Sequence, residues 1–347
     1  MIGKRLTNPL HQEWAELADR VGASPFVHPG WVMAWAESRG VEVELIHIRR
    51  GDALVAALPV VRAPEGIVSP TDWHTPLFEA IALDEGALGE LAALIVARRH
   101  RYVRLGFLDA DGPTHRVFSG TLQQAGYRLR RRTALHSPYM RLTGSWEDFL
   151  ARWPSKKRSD LRRRRRRLDE QGVVSLEVHD GTRNLDDLLT EGFDVEASGW
   201  KGSGSTSITA EGTEGLYREA AAWAASQGKL RLGFLRLDGQ AIAFDYSFEA
   251  RSTHYLLKTG FRPDYSAYSP GKLLRAFMIE HAFADRIETY DFVGDNDKWK
   301  LEWTDTTRPT VILDAYSRGV LGWISQTANF IERWGRWMGR RAHRVFR

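Results

Sequence analysis

Two short stretches of this 347-residue chain carry side chains that could do chemistry. In the first, Tyr268, Ser269, Gly271 and Lys272 surround Pro270. Proline followed by glycine after a polar loop marks a helix start. There the leading backbone N–H groups lack intrahelical acceptors and the helix dipole is positive. Such a turn is an anion cradle, fit for a phosphate or pyrophosphate. In the second stretch, Asp291 sits in TYDFVG, and Trp299 and Lys300 follow with Trp303 close behind. A lysine partly desolvated between aromatic rings can stabilise a developing oxyanion, and Asp291 could act as base or orienting group. The plainer alternatives are a solvated lysine and a structural strand-end carboxylate.

The elements that must position these residues read as strand, polar loop, helix, strand and short helix from Tyr255 to Trp303. Leu273, Leu274, Phe277, Met278, His281 and Ala282 recur at helical spacing and form one apolar stripe. TYDFVG reads as a buried strand, broken at Gly294 into an acidic turn with Asp295, Asn296 and Asp297. Upstream, KLRLGFLRLDGQAIAFDYSFEARSTHYLLKTGF reads as a three-strand meander turning at Asp238-Gly239 and Arg251-Ser252. A helix before it ends at Trp200 in a Gly/Ser-rich loop, where Lys201 could line a cleft; no Walker spacing is present. Further forward, YRLRRRTALHSPYMRL reads as a pair of strands. A long loop, EGIVSPTDWHTPLFEA, offers His74 as a further substrate-side candidate, with an ordinary loop histidine as the alternative.

The ordered set Y-SPG-LL, YDF-G and WK-EW, with SGWKG at Ser198–Gly202, resembles the GNAT-superfamily acyltransferases of the CelD/BcsL type. Those are close in fold to Fem-type aminoacyl transferases. The resemblance implies an α/β fold of two tandem GNAT-like domains. It implies acetyl-CoA or another acyl-CoA as donor, with pyrophosphate on the Tyr268–Lys272 turn, or aminoacyl-tRNA as the alternative. Trp299-Lys300 matches the aromatic–lysine pair of the Fem-type enzymes. The match is incomplete at two places. Leu273 stands where the GNAT phosphate loop has a small residue, and DNDKWKLEW lacks the tyrosine that commonly protonates the leaving thiolate.

An internal echo agrees with tandem domains. Gly51 and Gly239, both in hairpin turns, are 188 residues apart, as are Tyr102 and Tyr290, each in a strand after a helix. The expected boundaries are an N-terminal domain 1–142, a basic linking helix 143–172, a C-terminal domain 173–317 with the site, and a basic amphipathic helix 318–347.

Charge is unevenly placed. The net +5 hides ten basic residues against one aspartate from Arg152 to Arg167, and seven arginines against one glutamate from Ser317 onward; the rest is acidic. Six consecutive arginines repel one another, so nearby carboxylates or a bound polyanion should offset them. The candidate polyanions are coenzyme A phosphates, tRNA, an anionic polysaccharide or a membrane surface; a solvated bridging helix is the plainer reading. Without cysteine, disulfides, thiolate metal sites and a cysteine nucleophile are excluded. Scattered histidines without HExxH spacing argue against a metal enzyme, and confined basicity without a reading motif argues against sequence-specific DNA binding. The start has no signal-like apolar run, so a cytoplasmic protein is expected, peripheral to the inner membrane face if the basic helices touch lipid.

Three functions fit: an acyl-CoA-dependent transferase acting on a sugar, polysaccharide precursor or small amine; a Fem-like aminoacyl-tRNA transferase; and a non-catalytic polysaccharide- or membrane-associated protein. If Lys300 is catalytic, Lys300→Ala lowers turnover far more than stability.

Overall fold

A computed structural model describes residues 8–199, 208–209 and 213–318. Trp200, Lys201 and the basic C-terminal segment beyond 318 lie outside these residues. The described chain is α/β, with helices on mixed sheets, and it divides into two compact units. The earlier unit holds residues 16–21, 41–135 and 309–318; the later one holds 8–15, 22–40 and 136–308. This differs from a single cut near 142, for a packing reason. The helix at Pro29–Arg39 buries Trp31 edge-on against Tyr217 and Phe248, and a Cβ on Gly30 would strike the Trp223 ring.

In chain order, α1 (Pro9–Val21) and α2 (Pro29–Arg39) come first. A hairpin follows, β1 (Val43–Arg50) and β2 (Ala53–Ala63), turning at Gly51 with φ +61°. Next come β3 (Gly66–Val68), β4 (Ile81–Ala82), α3 (Glu85–Ala97), β5 (Tyr102–Asp109), α4 (Pro113–Gln124) and β6 (Arg128–Arg141). The segment expected as a strand pair is thus the single strand β6. Pro138 removes only one donor from it, and the proline carbonyl still accepts from Phe292 N at 3.0 Å.

The chain then forms α5 (Trp146–Ala151), α6 (Ser155–Asp169), β7 (Val174–His179), α7 (Leu185–Ser198) and α8 (Glu214–Ser226). The meander β8 (Leu230–Leu237), β9 (Gln240–Ala250) and β10 (Thr253–Phe261) follows, with left-handed residues Asp238 and Gly239 at its first turn. A 3-10 turn at Pro263–Tyr268 leads into α9 (Pro270–Ala284), β11 (Thr289–Asp291), α10 (Lys298–Leu301) and β12 (Thr307–Tyr316).

Strand order in the earlier unit is β1-β2-β3-β5-β12, antiparallel except for β3–β5. In the later unit it is β7-β8-β9-β10-β11-β6, antiparallel except for β10–β11. One face of the later sheet is covered by the apolar stripe of α9. Leu235, Ile242, Leu274, Ile279 and Tyr290 are fully buried there, and Leu168 and Leu161 dock α6 onto the same core. Ser155 begins α6 rather than capping it, because Pro154 holds the cap position.

Candidate active site

The parallel pair β10–β11 lasts three residue pairs, from Thr253 opposite Thr289 to Tyr255 opposite Asp291. There β11 ends, while β10 bulges at Leu257 and runs on against β9 to Phe261. Beside this continuation lies a cleft of about 380 Å³, bounded by the end of β10, the start of α9, and the turn after α10. Its wall is apolar where Phe261, Trp299 and Trp303 face it, and its charged groups come from α6, α7, α9 and the turn after α10.

The start of α9 was expected as an anion cradle; there Pro270 has no N–H, and Lys272 N (3.0 Å) and Leu273 N (3.2 Å) both donate to Ser269 O, which leaves the Gly271 N–H for a ligand. Ser269 is left-handed, with φ +54°, and no side chain caps the helix. Instead the Ser269 hydroxyl accepts a hydrogen bond from Arg164 of α6. Ser269, Gly271 and Lys272 line the cleft. A Cβ on Gly271 would lie 3.4 Å from the Phe261 ring, an ordinary contact. Tyr268 points elsewhere: it packs on the core, with the Arg167 guanidinium 5.7 Å from its ring centre.

Lys300 faces a loop rather than the cleft. It is 7% exposed, and its ammonium donates to Val293 O (2.8 Å) and Asp295 O (2.8 Å), with Asp297 Oδ2 at 3.1 Å. The turn it organises is also pinned from β6, where Ser137 Oγ donates to Gly294 O (2.8 Å) and His136 N to Asp295 Oδ1 (3.1 Å). Gly294 has φ +65°, and a Cβ there would sit 3.2 Å from the Lys300 ammonium. Asp291 is likewise committed. Wholly buried, it accepts from Val293 N (2.9 Å) and pairs with Arg308 (2.5 Å). Neither side chain lines the cleft. Trp299 does, with the Arg275 guanidinium 5.6 Å from its ring centre. His74 belongs to the earlier unit, buried in its loop, where its N–H donates to Asp72 Oδ1 at 2.8 Å.

Four polar residues that the sequence reading passed over meet in the cleft: Arg164, Glu196, Arg275 and Glu302. Glu196, on α7, is 1% exposed and accepts from Ile208 N at 3.0 Å. It is held close because Gly260 lets the helix touch β10: a Cβ there would come within 2.5 Å of the Glu196 Cα. Arg275 is 1% exposed. Both its terminal nitrogens bind the Asp245 carboxylate; one also donates to Tyr290 Oη (2.7 Å) and the other to Thr259 Oγ1 (3.1 Å). Burial opposes the Arg275 charge, but Asp245 and Tyr290 outweigh it and raise the pKa further. Burial pushes the Tyr290 phenol up as well, so it stays protonated. Signals for this cluster were present in the sequence. Arg275 interrupts the buried side of an amphipathic helix, and Asp245 interrupts the apolar run AIAFDYSF.

The class of fold is shown by comparison. Residues 155–301 match the family model of the acetyltransferase (GNAT) domain, a span containing α6, α9 and most of the cleft. Among solved structures, the chain is similar to the C-terminal domain (DUF2156) of a protein designated a lysylphosphatidylglycerol synthetase, from Agrobacterium fabrum. There the TM-score is 0.59 at 12% identity, covering 92% of this chain and 95% of that one. It is similar to FemX, with TM-score 0.55 at 12% identity, over 84% of this chain and 95% of that one. A conserved protein of unknown function from Bacteroides thetaiotaomicron gives TM-score 0.54 at 14% identity, over 88% and 92%. At such identities the likeness is one of fold. No curated protein matches the sequence. Among the described residues, no helix is long and apolar enough to cross a membrane.

Proposed function

We propose that the chain is an acyltransferase that moves an acyl group from an acyl-CoA thioester to an amine or hydroxyl of a sugar, polysaccharide precursor or small molecule. One observation carries this reading: an uncapped helix start, flanked by Arg164 and Lys272, opens onto a cleft that also holds the buried carboxylate Glu196. The thioester supplies the activated acyl carbon. The Gly271 N–H at the start of α9, with the Lys272 and Arg164 side chains, holds the donor's phosphates. Phe261, Trp299 and Trp303 give its uncharged arm an apolar wall. Glu196 takes the proton as the acceptor nitrogen or oxygen bonds to the acyl carbon and the C–S bond breaks.

Calorimetric titration with acetyl-CoA, followed by thiol release in the presence of amino sugars, tests the proposal. Binding with thiol release, and loss of release but not of binding in Glu196→Gln, is the expected result; absence of any acetyl-CoA binding overturns it. A second reading, aminoacyl transfer from tRNA, draws on the outward face of α6, where Lys156, Arg162, Arg163, Arg166 and Arg167 are exposed beside the cleft-facing Arg164. An RNA mobility shift with a steep salt slope, without acetyl-CoA binding, favours that reading. Binding only to acidic vesicles or anionic polysaccharide favours a non-catalytic role at a membrane or polysaccharide.

A further inference from the structure

The two cations lining the cleft beside the start of α9 each have a resident carboxylate. Lys272 Nζ lies 2.8 Å from Glu302 Oε2, and Arg164 Nε lies 2.7 Å from Asp160 Oδ2. The two pairs are built differently. Asp160 is the only acid between Arg152 and Arg167, 24% exposed, and it bridges Arg163 and Arg164 along a single helix. Glu302 is 50% exposed and reaches Lys272 from another element, the turn after α10. That turn also draws in a second ammonium: Lys157 donates to the Glu302 backbone carbonyl and sits 3.5 Å over the Trp153 ring. Burial, and then the neighbouring Lys272, hold the Lys157 pKa below its ordinary value, with Glu302 opposing. Deeper in the same cleft, Arg275 is 1% exposed and its Nε has no hydrogen-bond partner. The cleft is thus rich in donors, and its most exposed anion is the one on Lys272.

We propose that Glu302 is a displaceable counter-ion that sets the charge a donor must carry. In the free protein its carboxylate occupies Lys272; an entering phosphate group takes Lys272, and the half-exposed glutamate turns into solvent. This rests on the reading that donor phosphates sit at the start of α9, and it adds a selection rule. A pyrophosphate, with two adjacent charged groups reaching Lys272 and the helix start together, outcompetes one carboxylate. A single phosphate or an uncharged thioester displaces it poorly.

Titrating inorganic pyrophosphate, inorganic phosphate and acetyl-CoA into wild type, Glu302→Gln and Lys272→Met tests this. Expected is tighter pyrophosphate binding to Glu302→Gln, by about two- to fivefold, the range that loss of an exposed ion pair permits. The gain should shrink as salt rises, and the preference for pyrophosphate over phosphate should narrow. Lys272→Met should weaken every phosphate probe. Unchanged or weaker pyrophosphate binding in Glu302→Gln overturns the counter-ion role while leaving the donor reading intact. Tighter pyrophosphate binding in Glu302→Gln without any acetyl-CoA binding keeps the role and removes the donor. Binding of no probe by any form overturns both.

Discussion

Each unit buries an arginine, an aspartate and a tyrosine together, and puts them to different use. In the earlier unit, Tyr102 Oη (2.6 Å) and Arg104 Nε (2.7 Å) both donate to Asp314 Oδ1. All three lie on the adjoining strands β5 and β12, Asp314 directly opposite Arg104. The trio is a latch across one strand pair, and the Arg104 side chain remains 25% exposed. In the later unit, Arg275 on α9 binds Asp245 on β9, Tyr290 on β11 and Thr259 on β10, at 2% side-chain exposure. That trio, with Thr259, ties a helix to three strands beneath a cleft. The same residue types become part of a site when they join elements that a ligand must fit between. Within one ladder they only strengthen pairing.

Breaking the two trios should separate them most clearly. Asp245→Ala leaves Arg275 charged and unpaired in the core and is expected to cost about 3–5 kcal/mol. Asp314→Ala leaves Arg104 a path to water and should cost about 1–3 kcal/mol. Urea unfolding measures both, and equal losses would erase the contrast. Next in size is Lys300→Met, expected to cost about 1–3 kcal/mol by orphaning the Val293 and Asp295 carbonyls. Its melting temperature should fall as visibly as its turnover, opposite to what an exposed catalytic lysine would show. Gly260→Ala, which forces α7 away from β10, should cost about 1–3 kcal/mol and lower turnover through displaced Glu196.

The smallest effect concerns pH and a histidine beside Tyr290. His254 stacks on that ring at 4.6 Å, is 1% exposed, and shares a hydrogen bond of 2.9 Å with Glu249. Burial lowers the His254 pKa against the opposing pull of Glu249. The unfolded chain therefore takes up this proton first, and stability falls as pH drops below the ordinary histidine value. For Glu249, burial is outweighed by His254 and Arg231, so its pKa is also lowered, and its contribution is lost further into acid. Urea midpoints should decline from about pH 7 to about pH 5, and His254→Gln should flatten that interval.

Much of this scaffold was legible in the sequence because its signals are local. Pro270-Gly271 starts α9, Asp238-Gly239 turns the meander, and the 188-residue echo of Gly51 and Gly239 marks two hairpins in two units. The site was half legible, since the start of α9 is a local feature too. Its other walls come from distant segments, Arg164 and Glu196 before the meander and Glu302 after it, with no spacing rule to connect them. Lys300 misled for a related reason. Flanking tryptophans mark a lysine as desolvated, but whether its charge meets a ligand or three oxygens of its own loop depends on how residues 293–297 fold back. The reach of β6 was also hidden, because a histidine, a serine and a proline in succession look like a turn.

Gly294 and Lys300 answer to each other. A Cβ at 294 would press on the ammonium that holds the loop's carbonyls and push it aside by a few tenths of an ångström, and the left-handed backbone there suits glycine independently. Substitutions at the two positions should therefore be sub-additive, since once the lysine is gone an alanine at 294 meets only the backbone penalty. Across divergent sequences of this fold, the pair is expected to be kept or surrendered together, a correlation traceable to one ångström-scale contact rather than to chemistry performed on a substrate.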